Sequence, residues 1–238
     1  MKSVPLRRRL FLLAAAGILP LAIMSGIGLM ALFQQQRDQG GQAGLEIARA
    51  LSIAVDAELR RSVSALEILG TSLHLDDRDL DSFAEHAKRA LASQPQWEGV
   101  VLTDAGGKLL VRTGAKPGEP FQPVIEMESF RSAVSTRKAA IGYLRRDPLE
   151  KTWGIPVRIP VTLAGNVRYV LSAVVKPESI LEVVRRQRVP EGWVVTVADA
   201  KGLQVARSRD NEAAVGTPPS PALVSDIGNP DHEWHGIT

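Results

Sequence analysis

The sequence predicts an α+β chain: an N-terminal transmembrane helix, a long stalk helix, then a module built on a five-stranded antiparallel sheet and the start of a second such module. Three observations carry this. Residues 10–33 hold no charged side chain. Apolar residues recur at helical spacing through residue 95. From residue 100 the period shifts to two, in a hairpin pattern that returns 95 positions later.

Composition narrows the classes. With 238 residues, 45% hydrophobic and 23% charged, the chain has ordinary globular composition, which argues against disorder. The net charge of +3 is local. Lys2, Arg7, Arg8 and Arg9 hold four of the 29 basic residues, so residues 10–238 carry 25 bases against 26 acids. A near-neutral body has no electrostatic footprint for nucleic acid. The absence of cysteine excludes disulfides, thiolate metal sites and a cysteine nucleophile.

Residues 1–9 form a basic leader and 10–33 the transmembrane helix. Its 24 residues, at about 1.5 Å each, cross a bilayer core of roughly 30 Å. A cleaved signal peptide is the competing reading, but the apolar run is long for one and lacks a small-x-small cleavage site. The RRR before it keeps the N-terminus cytoplasmic, which places 34–238 on the far side of the inner membrane. Residues 34–95 are stalk and packing helices. Leu45, Ala48, Leu51, Val55, Leu59, Val63, Leu66, Leu69 and Leu73 make one stripe, with Arg49, Asp56, Glu58, Arg60 and Arg61 on the other face. Such a helix packs on its own domain, pairs with a second copy, or does both in different halves. A second helix, 79–95, opens on aspartates and stops at Pro95.

The module spans 96–190. VVLTD (100–104), a Gly-Gly turn and LLVRT (109–113) read as a hairpin. A Gly/Pro loop (114–123) and a short helix (127–137) follow, then a strand (139–146). Residues 152–161 alternate Ile155, Val157, Ile159 and Val161 with Pro156, Arg158 and Pro160. That marks a half-buried strand, and its two prolines require either a sheet edge or a side with few ladder donors. Residues 167–175 form the fifth strand, and Pro177 opens a helix to 188. At 191 the start of a second module begins, incomplete at residue 238.

The repeat aligns Asp104, Gly107 and Arg112 with Asp199, Gly202 and Arg207, each set preceded by a tryptophan, Trp97 or Trp193. Aspartate in a turn bonds the backbone two residues on, and glycine supplies positive φ, so the repeat reads as hairpin construction. The two arginines read as solvated or paired.

A membrane helix, a long helix and two modules that each open W…V..D..G….R resemble the double-Cache, PAS-like sensor region of bacterial transmembrane receptors. The segments WGIPVRIPV (153–161) and GNVRYVLS (165–172) also resemble late strands of a first Cache module. The resemblance implies a ligand-sensing region, most like that of a two-component sensor histidine kinase. Chemoreceptors and diguanylate cyclases share such an input region. It further implies a homodimer, a cytoplasmic output part beyond this fragment that uses ATP and Mg, and a cognate response regulator. No cofactor is expected in the fragment itself.

The candidate ligand-binding residues are Arg131, Tyr143, Trp153, Arg158 and Tyr169, gathered between the short helix and the later strands. Recognition of an organic acid or similar molecule needs a planar cation for the carboxylate and aromatic walls with a polar edge. The close Arg, Trp, Tyr and Asp set with which some Cache sensors recognise amines is not found. His232 and His235 have an i, i+3 spacing but no third ligand, so no metal is expected. No catalytic motif is visible. An anchored hydrolase would need one; an anchored scaffold protein would need neither motif nor cavity.

Overall fold

The structure, a computed structural model, describes residues 6–114, 124–148 and 151–219, with backbone only at 6–22 and 31–41. Most of the side chains of the predicted membrane helix, the Gly/Pro loop from 115 and the His232/His235 pair lie outside the described residues. Among those described, no helix is long and apolar enough to cross a membrane. The chain divides into two compact units, Met1–Ala48 and Arg49–Thr238. Among the described residues the first holds helix, in which Ile23, Met24, Ile27, Leu29 and Met30 are exposed.

Helix α1 runs Leu6–Gly70, and its stretch from residue 49 belongs to the second unit. A single turn, α2 (Leu73–Asp76), and α3 (Leu80–Ser93) follow. Asp79 caps α3, its carboxylate accepting from the Ser82 N–H at 3.1 Å. The strands are β1 (Trp97–Asp104), β2 (Leu109–Arg112), β3 (Ala140–Ile141), β4 (Arg145–Arg146), β5 (Trp153–Leu163) and β6 (Asn166–Val175). Helix α4 (Met127–Thr136) lies between β2 and β3, and α5 (Pro177–Arg186) follows β6. The hairpin β7 (Thr196–Ala198) and β8 (Gln204–Arg207) and a short α6 (Asn211–Ala214) are the last described elements.

All pairings are antiparallel, in the order β2-β1-β6-β5-β3, with β4 continuing along the same edge of β5. The five expected strand positions are present, with one correction. The strand expected at 139–146 is two short pieces, because the chain leaves the ladder at residues 142–144. The prolines of β5 meet the second of the two conditions. The Pro156 carbonyl accepts from the Gly142 N–H, so its missing N–H points to the same β3 side, and Pro160 has the same parity. On that side β5 pairs with only two short strands, so few ladder bonds are forfeited.

Strand alternation gives the sheet two unlike faces. Val100, Leu102, Ile155, Val157, Ile159, Leu171, Ala173 and Val175 face the helices and join Leu66, Leu69, Phe83 and Ala87 in one core. Trp97, only 2% exposed, donates its indole N–H to Ser62 Oγ at 2.9 Å and ties β1 to α1. Its repeat partner Trp193 is 38% exposed, so the two repeats do not use this position alike.

Candidate functional site

The other face of the sheet carries mostly smaller side chains, Gly99, Val101 and Thr103 on β1, Ser172 and Val174 on β6, Gly154 and Pro156 on β5, with the long Arg158 among them. Over them lies a cavity of about 120 Å³. Val124 and Ile125, just before α4, wall it on one side, Leu109 and Arg112 on a second, Arg145 and Asp147 on a third. An apolar cavity of about 150 Å³ holds a molecule the size of benzene, so this one suits a small metabolite. Its charged lining is Arg112, Arg145 and Arg158 against Glu98 and Asp147. Arg112 pairs with Asp147 at 3.6 Å, and Glu98 with Lys176 at 3.7 Å.

Arg158 organises the floor. It is 4% exposed. Its Nε donates to Ser129 Oγ and its Nη1 to Ser172 Oγ, both at 2.9 Å. Its Nη2 donates to the carbonyls of Ile125 and Glu126 at 2.6 and 3.2 Å. A guanidinium has five N–H donors, so among the described residues one Nη1 N–H stays uncommitted. Burial pushes its pKa down to about 10, partly countered by the negative field of Glu126. Arg158 therefore remains a cation at neutral pH.

Glu126 shapes the wall. It sits in the left-handed region (φ 64°, ψ 85°), a conformation that a non-glycine residue occupies only when its surroundings impose it. Its carboxylate caps α4, accepting from the N–H groups of Glu128 and Ser129 at 2.8 and 3.0 Å and from the Ser129 hydroxyl. Gly142 makes room for it: a Cβ there would lie 2.2 Å from Glu126 Oε2 and 2.7 Å from Pro156 Cγ.

The second hairpin approaches the same wall from behind. In both hairpins the repeated aspartate accepts through Oδ1 from the backbone N–H groups two and four residues on, at 2.8 to 2.9 Å. Gly107 and Gly202 take φ of 89° and 81°. The hairpin-construction reading thus holds, with one addition. Oδ2 of Asp199 also accepts from the Leu144 N–H at 2.9 Å. Beside it, Glu128 accepts from the Tyr143 hydroxyl at 2.9 Å and pairs with Lys201 at 3.0 Å, while the Lys201 ammonium lies 4.5 Å from the Tyr143 ring centroid. Lys201's hydrogen bond is the main reason the Glu128 carboxyl lies below the ordinary carboxylate range. Glu128 in turn raises the Lys201 ammonium and the Tyr143 phenol. A second, largely apolar cavity of about 220 Å³ is lined by Ile141–Leu144, by Val55 and Leu59 of α1, by Ile180 of α5 and by residues 197–200 of the hairpin.

The five candidate residues do not come together. Arg158 lines the first cavity and Tyr143 the second. Trp153 and Tyr169 project to the helical face: Tyr169 is 5% exposed within the core, and Trp153 packs against that core with its indole on Gly216. Strand parity decides this, since Trp153 shares the side of Ile155 and Val157. Arg131 is exposed on α4. Arg112, Arg145 and Asp147 also line the cavity; Arg112 is paired with Asp147 there, in keeping with its sequence reading as solvated or paired. One signal was available. On β1, β5 and β6, alternate positions hold Gly, Thr, Pro and Ser opposite Val, Leu and Ile, so one face has the space for a cavity.

No family model and no curated protein matches this chain. Solved structures do. The ligand-binding domain of the Pseudomonas fluorescens chemoreceptor CtaA, in complex with L-serine, is 16% identical with a TM-score of 0.61, covering 80% of this chain and 81% of that one. The ligand-binding domain of the Campylobacter jejuni chemoreceptor Tlp3, in complex with L-valine, is 14% identical with a TM-score of 0.55, covering 76% and 75%. CtaA in complex with L-alanine gives 0.57 at 17% identity, covering 75% of each chain. The chain thus shares the fold of these ligand-binding domains.

Proposed function

We propose that the chain is the extracytoplasmic ligand-sensing region of a bacterial membrane receptor, and that the cavity over Arg158 takes a small carboxylate-bearing molecule, an amino acid or a short organic acid. The observation that carries this is the cavity's lining. Three arginines line a space sized for a small molecule, and the Arg112–Asp147 pair in that lining carries both signs of charge that an amino acid presents. The ligands bound by CtaA and Tlp3 have this chemistry. In this reading residues 10–33 cross the inner membrane, 34–238 lie outside the cytoplasm, and two copies pair along the stalk. The parent receptor signals through an output part of the chemoreceptor or histidine-kinase kind. The chemoreceptor reading fits the structural neighbours at least as well as the kinase one.

Thermal unfolding of the full chain with L-serine, L-alanine, L-valine and short organic acids tests the reading. Ligand at a hundredfold its Kd adds about 2.7 kcal/mol, a rise of roughly 5–10 °C for a domain of this size. Arg112→Ala and Arg145→Ala should abolish the rise. A panel in which no carboxylate moves the midpoint, or a rise that survives both substitutions, overturns the assignment.

A further inference from the structure

We propose that the second hairpin is a working part of the first module's cavity: Asp199 and Lys201 are positioning residues for its wall. This rests on the reading of the cavity as the ligand site. Two segments make the relevant wall. One is the entry to α4, where Val124 and Ile125 face the cavity. The other is the stretch from Gly142 into β4, where Arg145 does so. Both are held from behind by the hairpin. Leu144, one residue before Arg145, gives its N–H to Asp199 Oδ2. Glu128, in the first turn of α4, is held by Lys201 and by Tyr143.

Arg158 closes the circuit inside the wall, since it grips the carbonyls of Ile125 and Glu126 and the hydroxyl of Ser129. Apolar packing also joins the hairpin to the wall, since Leu144 shares one core with Val205 and Ala206, and Val197 and Leu203 pack against that core. A largely apolar cavity of about 220 Å³ lies beside this contact, lined by Tyr143, Leu144, Val197 and Asp199. The polar latch adds direction to that packing and fixes where the Leu144 backbone stands. A ligand that draws Arg145 or the α4 entry inward must move the hairpin as well. By linkage, whatever moves the hairpin changes ligand affinity by the same factor.

The repeat supplies an internal control. Asparagine keeps a carbonyl oxygen for the turn, so Asp199→Asn preserves the hairpin while replacing the acceptor of the Leu144 N–H with an amide. Asp104→Asn makes the same change in the first hairpin, where the aspartate's bonds stay within its own turn. Hydrogen exchange of the full chain, read peptide by peptide, should show 142–146 exchanging roughly ten- to a hundredfold faster in Asp199→Asn, with Asp104→Asn unchanged there. Lys201→Met should loosen the first turn of α4. Calorimetry with L-serine, L-alanine and L-valine reads the second arm: the amino acid that binds should bind at least about fivefold more weakly to Asp199→Asn. Unchanged exchange at 142–146 in Asp199→Asn sinks the latch whatever the ligand. Faster exchange with undiminished affinity refutes the positioning role. If none of the three amino acids binds wild type while exchange rises as expected, the latch stands and the amino-acid reading of the cavity falls.

Discussion

Arg158→Met sets two large effects against each other. The ionised guanidinium is disfavoured in its buried site: burial pushes its pKa down to about 10, well below the ordinary arginine value, a shift that corresponds to roughly 3 kcal/mol. Its folded-state pKa is the lower one, so the unfolded chain holds the proton more tightly. That penalty is fully present at neutral pH and is relieved only as pH rises above about 10. Methionine removes the penalty. It also strips hydrogen bonds from Ser129 Oγ, Ser172 Oγ and the carbonyls of Ile125 and Glu126. Bonds from a charged donor contribute about 1.5–3 kcal/mol each, and some of the acceptors would regain water from the cavity. The bonds outweigh the relief, and the net destabilisation is about 3–5 kcal/mol, in the range for breaking a buried charged network. With a denaturant slope of roughly 2 kcal/mol per molar urea, the midpoint should fall by about 2 M. Urea unfolding followed by tryptophan fluorescence measures it, since Trp97 is buried in the core. Arg158→Lys, which keeps the charge but not the fork, should fall between wild type and methionine. An unchanged or higher midpoint for Arg158→Met would show that desolvation dominates and that the arginine does not hold the α4 entry to the sheet.

Two further outcomes follow from the same wall. Gly142→Ala drives a methyl against Glu126 Oε2 and Pro156. It should destabilise by about 1–3 kcal/mol as an overpacked site, read as a lower thermal midpoint; an equal or higher midpoint shows that the α4 cap can move aside. Glu128 contributes stability above its ordinary pKa of 4.5, and that contribution drains away as acid titrates through the lowered folded value. Thermal midpoints of wild type and Glu128→Gln should therefore be separated near neutral pH and converge on acidification. A gap independent of pH shows that the Lys201 pair adds nothing.

Much of the local structure was legible because its signals are local. Asp79 and Pro177 start their helices where sequence places them, and Asp104–Gly107 builds the turn its residue types require. The alternation of 152–161 fixes which side chains share a face. The break at 142–144 was not legible. The distant Asp199 takes the Leu144 N–H, and nothing in IGYLRR marks a strand that leaves its ladder to meet a hairpin more than fifty residues on. The candidate site suffered for a related reason. Residue type nominated Tyr143, Trp153 and Tyr169, but an aromatic suits a core as well as a pocket, and only strand parity and register assign it to one face.

The period of each segment, the caps and turns, the repeated hairpin and the α+β class follow from the order of residues alone. They depend on neighbours a few residues apart, through backbone geometry and the spacing of apolar side chains. That Arg112, Arg145, Arg158 and Asp147 share one cavity while Trp153 and Tyr169 turn away from it emerges only when the chain is folded. Folding also gives Asp199 a second task beyond its turn. Those outcomes depend on which strands pair, in which register, and on what approaches from another part of the chain.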